Sequence, residues 1–266
     1  MGIVNVTPDS FSDGGDLYAN AQLDLSKTLG VIEKMLNDGA DIIDIGGEST
    51  RPGASSVSAQ QELDRVLPVL ESVIERFDTL VSVDTSTAAV MTEAAKKGAS
   101  LINDVRALTR EGALAAAAMT QLPVCLMHMQ NQPQTMQHEP TYTDVVAEVL
   151  AFLAERKNSC MTAGIDSKKI ILDPGFGFGK TLAHNLTLFS AIDQFVGTGH
   201  PVLVGVSRKA MIGQMLGLEH TEQRLMGSVA LALLAAQRGA AILRVHDVLE
   251  TKQAIDVWQT TIKDED

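Results

Sequence analysis

The segment GADIIDIGG, residues 39 to 47, contains the pattern that decides the fold. Its glycine-alanine pair predicts the end of a helix, because glycine adopts the left-handed conformation with which many helices terminate. The isoleucine-rich run that follows predicts a buried strand. The same order of glycine, alanine and an apolar run recurs at Gly98 and Gly239. The sequence therefore repeats a helix-to-strand unit.

Apolar runs of strand length recur along the whole chain, with helical segments between them. They cover residues 2 to 6, 41 to 45, 80 to 84, 100 to 104, 123 to 128, 169 to 173, 201 to 206 and 241 to 245. Ser58 and Gln61 have the spacing of a capping box that opens one of the helices. Eight strand-helix units in 266 residues predict an α/β fold, a single-domain (β/α)8 TIM barrel over residues 1–266. A doubly wound open sheet is the alternative.

Composition and charge exclude several classes of protein. The formal net charge of -12 argues against nucleic acid or an anionic membrane as the main partner. No apolar run approaches the roughly 18 residues of a membrane span, and the N-terminus lacks a secretion signal, so we expect a cytoplasmic location. Cys125 and Cys160 are too few and too far apart for a zinc site or a disulfide framework. Both are expected to be buried thiols.

Polar residues gather where the predicted strands end, which is where a barrel binds its ligands. They are Asn5, Glu48 to Arg51, Asp84, Asn103, Asp104, His128, Asp173, Ser207 to Lys209, Arg244 and His246. Exposure of a strand end explains any one of them equally well. It does not explain Asp44, Asn103, Arg244 and His246, which lie within or directly against apolar runs where a polar side chain needs a partner or a ligand.

Two groups of these residues indicate particular chemistry. Asp84, Asn103 and Asp173 come from three strands and can read the edge of a flat heterocycle, since a carboxylate accepts two parallel hydrogen bonds from an amino group and a ring N–H. A metal is the competing use of such oxygens, although no His-Glu-x-x-His pattern occurs. Lys209 and the Arg244–His246 pair follow the last two strands, the usual anion site of this fold.

Two long segments, residues 5 to 15 and 46 to 56, follow the first two strands and predict mobile loops that close over a substrate. A third segment, DPGFGFGKT at 173 to 181, looks like a phosphate loop. It fails that pattern because Pro174 stands where the first glycine belongs. It also fails the dinucleotide pattern, because its third glycine comes one residue early.

The motifs taken in order resemble one family, the bacterial dihydropteroate synthases. They are GIVNVTPDSFSDGG, GADIIDIGGESTRPGA, SVDTS, IND, LMHMQ, DPGFGFGK, VGVSRK and RVHD. The resemblance covers Gly2 to about Thr251. It implies that the glycine-rich segment is a tight turn that holds Asp173 against a pterin and lets the backbone approach the ring.

The resemblance also implies a reaction, in which 6-hydroxymethyl-7,8-dihydropterin diphosphate and 4-aminobenzoate give 7,8-dihydropteroate and diphosphate with Mg²⁺. Catalysis is expected to involve Asp84, Asp173, Lys209, Arg244 and His246. The pterin would contact Asp84, Asn103, Asp173 and Lys209, with Met127 and Phe178 against the ring. Diphosphate and Mg²⁺ would meet Thr50, Arg244 and His246, with Asn5 at the metal. The aminobenzoate pocket would use Pro8, Asp9, Phe11, Arg51 and Pro52. A homodimer and inhibition by sulfonamides are further expectations.

Two departures from the family pattern are visible. Ala210 stands where relatives often carry a serine that bonds the aminobenzoate carboxylate. The chain also begins at the first strand, without the hairpin that commonly plugs the barrel bottom, so stability is expected to suffer more than chemistry. A pterin-binding barrel of the folate-dependent methyltransferase type and a non-catalytic paralogue remain as alternatives.

Overall fold

The protein is represented by a computed structural model, which describes residues 1–7, 17–19, 22–50, 57–131, 135–136 and 139–262. Eight parallel strands occur in these ranges. They are β1 (Gly2–Asn5), β2 (Ile42–Gly46), β3 (Leu80–Asp84), β4 (Leu101–Asp104), β5 (Val124–Met127), β6 (Ile170–Asp173), β7 (Leu203–Val204) and β8 (Ile242–Leu243). Each lies within one residue of a predicted run, apart from β7 and β8, which are shorter than predicted because only two residues of each pair regularly.

The strands close into a barrel. β1 to β6 form one parallel sheet in chain order, and β7 pairs with β8. Parallel bridges join the two groups, from Leu172 to Val202 on one side and from Gly2 to Val245 on the other. Across the second bridge Ile3 N–H donates to the Val245 carbonyl at 3.0 Å, and Val245 N–H donates to the Met1 carbonyl at 3.0 Å. The predicted (β/α)8 barrel is confirmed.

Helices follow the strands around the outside. They are α1 (Leu25–Asn37), α2 (Ala59–Arg76), α3 (Ala88–Lys96), α4 (Ala113–Thr120), α5 (Val145–Thr162), α6 (Leu182–Ser190), α7 (Ile192–Val196), α8 (Ala210–Leu216), α9 (Leu225–Gln237) and α10 (Val248–Ile262). Short 3-10 turns occupy Ser167–Lys169 and Thr221–Arg224, and Tyr18–Ala19 pairs antiparallel with Gln22–Leu23. Within the described residues, none of the helices is both long and apolar enough to span a membrane.

Helix ends follow the sequence signals. The predicted capping box at α2 is confirmed: Gln61 N–H donates to Ser58 Oγ at 3.2 Å, and Ser58 N–H donates to Gln61 Oε1 at 3.0 Å. The repeated glycines have positive φ angles of 96° at Gly39, 98° at Gly98 and 91° at Gly239. Each glycine turns the chain from a helix into the next strand.

Strand β2 shows how the core is divided. Ile43 and Ile45 are fully buried in the layer between the strands and the helices, whereas Asp44 points from the same strand into the barrel. Met1, Leu101, Cys125 and Leu203 form a separate buried apolar cluster. Cys125 and Cys160 are both buried and free, so the prediction of core thiols is confirmed.

Candidate active site

A cavity of about 730 Å³ opens at the carboxyl ends of the strands. This volume lies within the range of small-molecule sites. Every predicted site residue that the structure describes lines it, namely Asn5, Thr50, Asp84, Asn103, Met127, Asp173, Phe178, Lys209, Arg244 and His246. The remaining predicted residues, Pro8, Asp9, Phe11, Arg51 and Pro52, lie outside the described residues.

Arg244 organises the charges at one side of the cavity. Its Nε donates to an oxygen of Asp44 at 2.6 Å, and its Nη2 donates to Asp84 at 3.1 Å. Asn103 Nδ2 donates to the same Asp44 oxygen at 3.3 Å. Burial raises the pKa of Asp84 above its ordinary value, and Arg244 opposes that rise. One cation therefore serves two carboxylates, and Asp44, which is fully buried, fixes the direction of the guanidinium.

Asp173 and Lys209 form the opposite side. Gly175 N–H donates to Asp173 Oδ1 at 2.7 Å, while burial raises the pKa of Asp173 and Lys209 opposes the rise. Burial lowers the pKa of Lys209 to about 8, with Asp173 acting in the other direction. Lys209 Nζ donates to the Phe176 carbonyl and lies 4.6 Å from the centre of the Phe178 ring. The cation thus sits between a carboxylate and an aromatic wall.

The glycine-rich segment forms the expected tight turn beside Asp173, and two of its glycines also pack against the loop after β5. A Cβ atom on Gly175 would lie 1.8 Å from the His128 carbonyl oxygen, and one on Gly179 would lie 2.7 Å from the Gln130 carbonyl oxygen. Gly175 and Gly179 thus let the turn approach the loop after β5, and the approach of the backbone to a pterin ring stays a prediction. Gly177 alone faces the site, where its Cβ would lie 3.1 Å from Lys209 Cδ.

Two predicted strand-end residues turn away from the cavity. Asp104 is buried and accepts hydrogen bonds from the N–H groups of Arg106 and Leu108 at 2.8 and 2.9 Å. His128 is buried beside Lys180, with 2.9 Å between its Nδ1 atom and Lys180 Nζ. The alternation of side chains along a strand explains both positions, because Asn103 and Met127, one residue earlier, face the cavity.

Arg244 and His246, two residues apart just after β8, both face the cavity. Val245 between Arg244 and His246 is buried in the outer core. Ser207 Oγ lies 3.0 Å from His246 Nδ1 and accepts the His246 N–H at 3.1 Å. Ser207 therefore sets the orientation of the imidazole. Ala210 also lines the cavity.

Sequence reasoning missed the contacts that hold the loop after β2. Arg106 Nη1 and Nη2 donate to the two carboxylate oxygens of Glu48 at 2.9 and 3.1 Å. Arg65 Nη1 donates to the Gly47 carbonyl at 2.9 Å. These pairs are 58 and 18 residues apart in sequence, and no local pattern signals them. Nothing in the sequence indicates that Lys180 binds the loop after β5 and the turn after β6.

Comparisons with known proteins agree with this geometry. A family described as pterin binding enzyme matches residues 1–246. The dihydropteroate synthase of Haemophilus influenzae is 55% identical over 98% of this chain and 93% of its own length. The crystal structure of Yersinia pestis dihydropteroate synthase with a sulfonamide drug complex has a TM-score of 0.94 at 54% identity, covering 98% of this chain and 93% of that one.

A structure of the Xanthomonas albilineans enzyme in complex with 7,8-dihydropteroate has a TM-score of 0.86 at 45% identity, over 98% of this chain and 92% of that one. These relatives are synthases, which decides against the methyltransferase alternative. The chain therefore belongs to the pterin-binding enzymes and, within them, to the dihydropteroate synthases, which are transferases of folate biosynthesis.

Proposed function

We propose that the cavity condenses 6-hydroxymethyl-7,8-dihydropterin diphosphate with 4-aminobenzoate to give 7,8-dihydropteroate and diphosphate. The observation that carries the proposal is the convergence of Asp84, Asn103 and Asp173 with Lys209 and Arg244 on one cavity. These groups supply acceptors for a heterocycle at one part of the cavity and cations for a diphosphate at another. The 7,8-dihydropteroate in the Xanthomonas albilineans structure supports the same product.

Pterin recognition is assigned to the Asp173 side. The carboxylate of Asp173 accepts from the 2-amino group and the adjacent ring N–H, which requires the ionised form. Lys209 stabilises that charge, and Asn103 completes the polar edge. Met127 is buried in the cavity wall and Phe178 is half-buried there, so the two side chains are suited to pack against the faces of a flat ring.

Arg244 and His246 are assigned to the leaving group. Contacts of Arg244 with described side chains use Nε and Nη2, which leaves Nη1 to donate to the diphosphate. The bond from the pterin methylene carbon to the bridging oxygen breaks with its electron pair going to diphosphate. The resulting methylene cation is captured by the arylamine nitrogen, which then loses a proton. Negative charge grows on the bridging oxygen, so the cations stabilise the transition state more than the ground state.

Mg²⁺ is proposed to enter with the diphosphate. Among the described residues there is no cluster of three or more His, Cys, Asp or Glu side chains that could hold a metal by itself. The neutral oxygens of Asn5 and Thr50 in the cavity fit an ion that takes its other ligands from phosphate and water. Bound there, Mg²⁺ would neutralise part of the diphosphate charge.

The aminobenzoate pocket is proposed to lie beside Lys209 and Ala210. Ala210 has no hydroxyl, so the carboxylate must be bound by other donors than the serine of many relatives. The contributions of Pro8, Asp9, Phe11, Arg51 and Pro52 stay predictions. Sulfonamides are proposed to compete for this pocket, by analogy with the drug complex of the Yersinia pestis enzyme.

We further propose a homodimer, built on the outer face of α8 and α9. Helix α9 contains no charged residue, and its exposed face carries Met226 and Leu234, with exposed fractions of 74% and 40%. Met215 and Leu216 are exposed at the end of α8, and Leu216 packs beside Gly227. An apolar face of this kind favours a partner. Sedimentation should give a dimer that Met226→Glu weakens. The cytoplasmic location stays a prediction.

Incubation with both substrates and Mg²⁺, followed by mass spectrometry, tests the proposed reaction. The expected product is 7,8-dihydropteroate, formed only when 4-aminobenzoate is present. Binding of the pterin without any product would instead favour a non-catalytic pterin-binding paralogue.

A further inference from the structure

Lys180 is a buried cation that the proposed reaction does not use. Its side chain is 3% exposed, and its Nζ atom lies among four acceptors. The carbonyl oxygens of Gly175 and Phe178 lie at 2.9 and 3.0 Å. His128 contributes its Nδ1 atom at 2.9 Å and its carbonyl oxygen at 3.3 Å. A lysine held by this many backbone groups acts as an internal cap for a turn.

The protonation states suit this arrangement. Burial and, to a smaller extent, the nearby Lys180 lower the pKa of His128 to about 3, so the imidazole is neutral and its Nδ1 accepts. An ammonium group has three N–H bonds, which match the three shortest contacts. A neutral amine would leave one buried acceptor unsatisfied, which is costly. Burial lowers the pKa of Lys180 to about 7 and Asp173 opposes the shift, so the ammonium form prevails in mildly acidic buffer.

The contacts join two loops that carry walls of the cavity. His128 directly follows Met127 at the end of β5, and Gly175 and Phe178 belong to the turn after β6. Gly175 N–H also donates to Asp173, so the same turn holds the carboxylate. A Cβ atom on Gly175 would overlap the His128 carbonyl oxygen, so the turn packs directly against the β5 loop. The placement of Phe178 and Asp173 thus depends on the junction that Lys180 closes.

We propose that Lys180 is a positioning residue for the pterin. It locks the turn after β6 against the loop after β5, so that Asp173 and Phe178 face the ring. The inference rests on the proposed pterin function. It also explains why a Gly-Lys-Thr sequence occurs in a segment that fails the phosphate-loop pattern. The side chain of Lys180 lines part of the cavity, but its Nζ atom is directed at backbone carbonyls of the turn, where the ammonium of a phosphate-binding lysine would be directed at the ligand.

Calorimetry with a dihydropterin that lacks the diphosphate, at pH 6.5, tests this role. Lys180→Met keeps most of the side-chain volume and removes the charge. We expect a folded protein whose pterin affinity falls by about tenfold or more, since charged hydrogen bonds are lost at the turn. Lys169→Ala is the matched control, because Lys169 also donates to a backbone carbonyl, that of Gln121, at the opposite end of the same strand. The control should bind the pterin normally.

A rescue experiment separates charge from volume. Lys180→Ala removes the atoms of n-propylammonium, which should therefore restore pterin affinity when added to the variant. The neutral 1-propanol fills similar space without an ammonium group and should not. If Lys180→Ala is unfolded alone, the amine should restore both folding and binding.

Several results would overturn the inference. One is a Lys180→Met protein that binds the pterin within twofold of the parent. Equal rescue by 1-propanol would overturn it too, as would folding in the amine without recovery of pterin binding. A Lys180→Ala variant that folds in neither solution would make Lys180 a requirement of the fold alone. A parent protein that does not bind the pterin would instead contradict the proposed function.

Discussion

The Nη2 atom of Arg244 lies 3.1 Å from a carboxylate oxygen of Asp84, a contact between the strand-β8 end and the strand-β3 end. Since Arg244 opposes the burial that raises the pKa of Asp84, its loss should drive Asp84 further toward the protonated form. Arg244, which we propose binds the leaving group, and Asp84, which we propose binds the pterin, are therefore electrostatically linked.

Arg244→Ala should lower turnover by about a hundredfold or more, because a preorganised donor to the developing charge is lost. Affinity for a pterin without diphosphate should also fall, but less. Arg244→Lys should recover part of the turnover, since it keeps the charge and loses the two-pronged geometry. Turnover and calorimetry on the same preparations give the comparison. Equal losses in both measurements would assign Arg244 to ring recognition alone.

Asp173→Asn should fold and bind the pterin about 10- to 100-fold more weakly, because an amide cannot accept both hydrogen bonds and a charge-assisted bond is worth about 1.5–3 kcal/mol. Asp166→Asn is the control, since Asp166 caps the turn before the other end of β6. Calorimetry measures both. Unchanged pterin affinity in Asp173→Asn would show that this carboxylate does not bind the pterin.

Pterin affinity should fall as the pH rises through about 8. Burial lowers the pKa of Lys209 to about 8, so its ammonium form is present below that pH and is lost above it. Lys209→Arg should bind less tightly and lose the decline with a midpoint near pH 8, because arginine stays protonated, whereas the decline near pH 7 that belongs to Lys180 should remain. The ionisation of the pterin itself is measured in the same buffers. If the pterin affinity of Lys209→Arg fell with the same midpoint near pH 8, the titration would belong to another group.

Gly175→Ala should cost about 2–5 kcal/mol of unfolding free energy, from the strain of a positive φ and the overlap with the His128 carbonyl. Gly164→Ala measures the strain of a positive φ by itself. Gly164 also has a positive φ, 96°, but a Cβ there would meet no atom within 4 Å, so a loss of about 1–2 kcal/mol is expected. Urea denaturation gives both values. Equal losses would show that the close approach to His128 has no energetic effect.

Sequence predicted the fold and the described part of the site because both follow local rules. The run around Ile43 and Ile45 identifies a strand, and Asp84, Asn103 and Asp173 stand at strand ends, where the topology must bring them together. Side-chain alternation would also have predicted that Asp104 and His128 point outward.

Long-range contacts could not be read in the same way. Arg244 and Asp44 are 200 residues apart, and their pairing depends on barrel closure. Lys180 could equally have pointed outward to a ligand, and only the folded turn brings its Nζ atom to the carbonyl oxygens of Gly175 and Phe178.

The release of diphosphate with and without 4-aminobenzoate tests the central claim most directly. With Mg²⁺ and 6-hydroxymethyl-7,8-dihydropterin diphosphate, the protein should release one diphosphate for each 7,8-dihydropteroate formed once 4-aminobenzoate is added, and Asp173→Asn should do so far more slowly at the same substrate concentrations. Continued turnover that releases diphosphate without 4-aminobenzoate, or that yields no dihydropteroate when 4-aminobenzoate is present, would contradict the account.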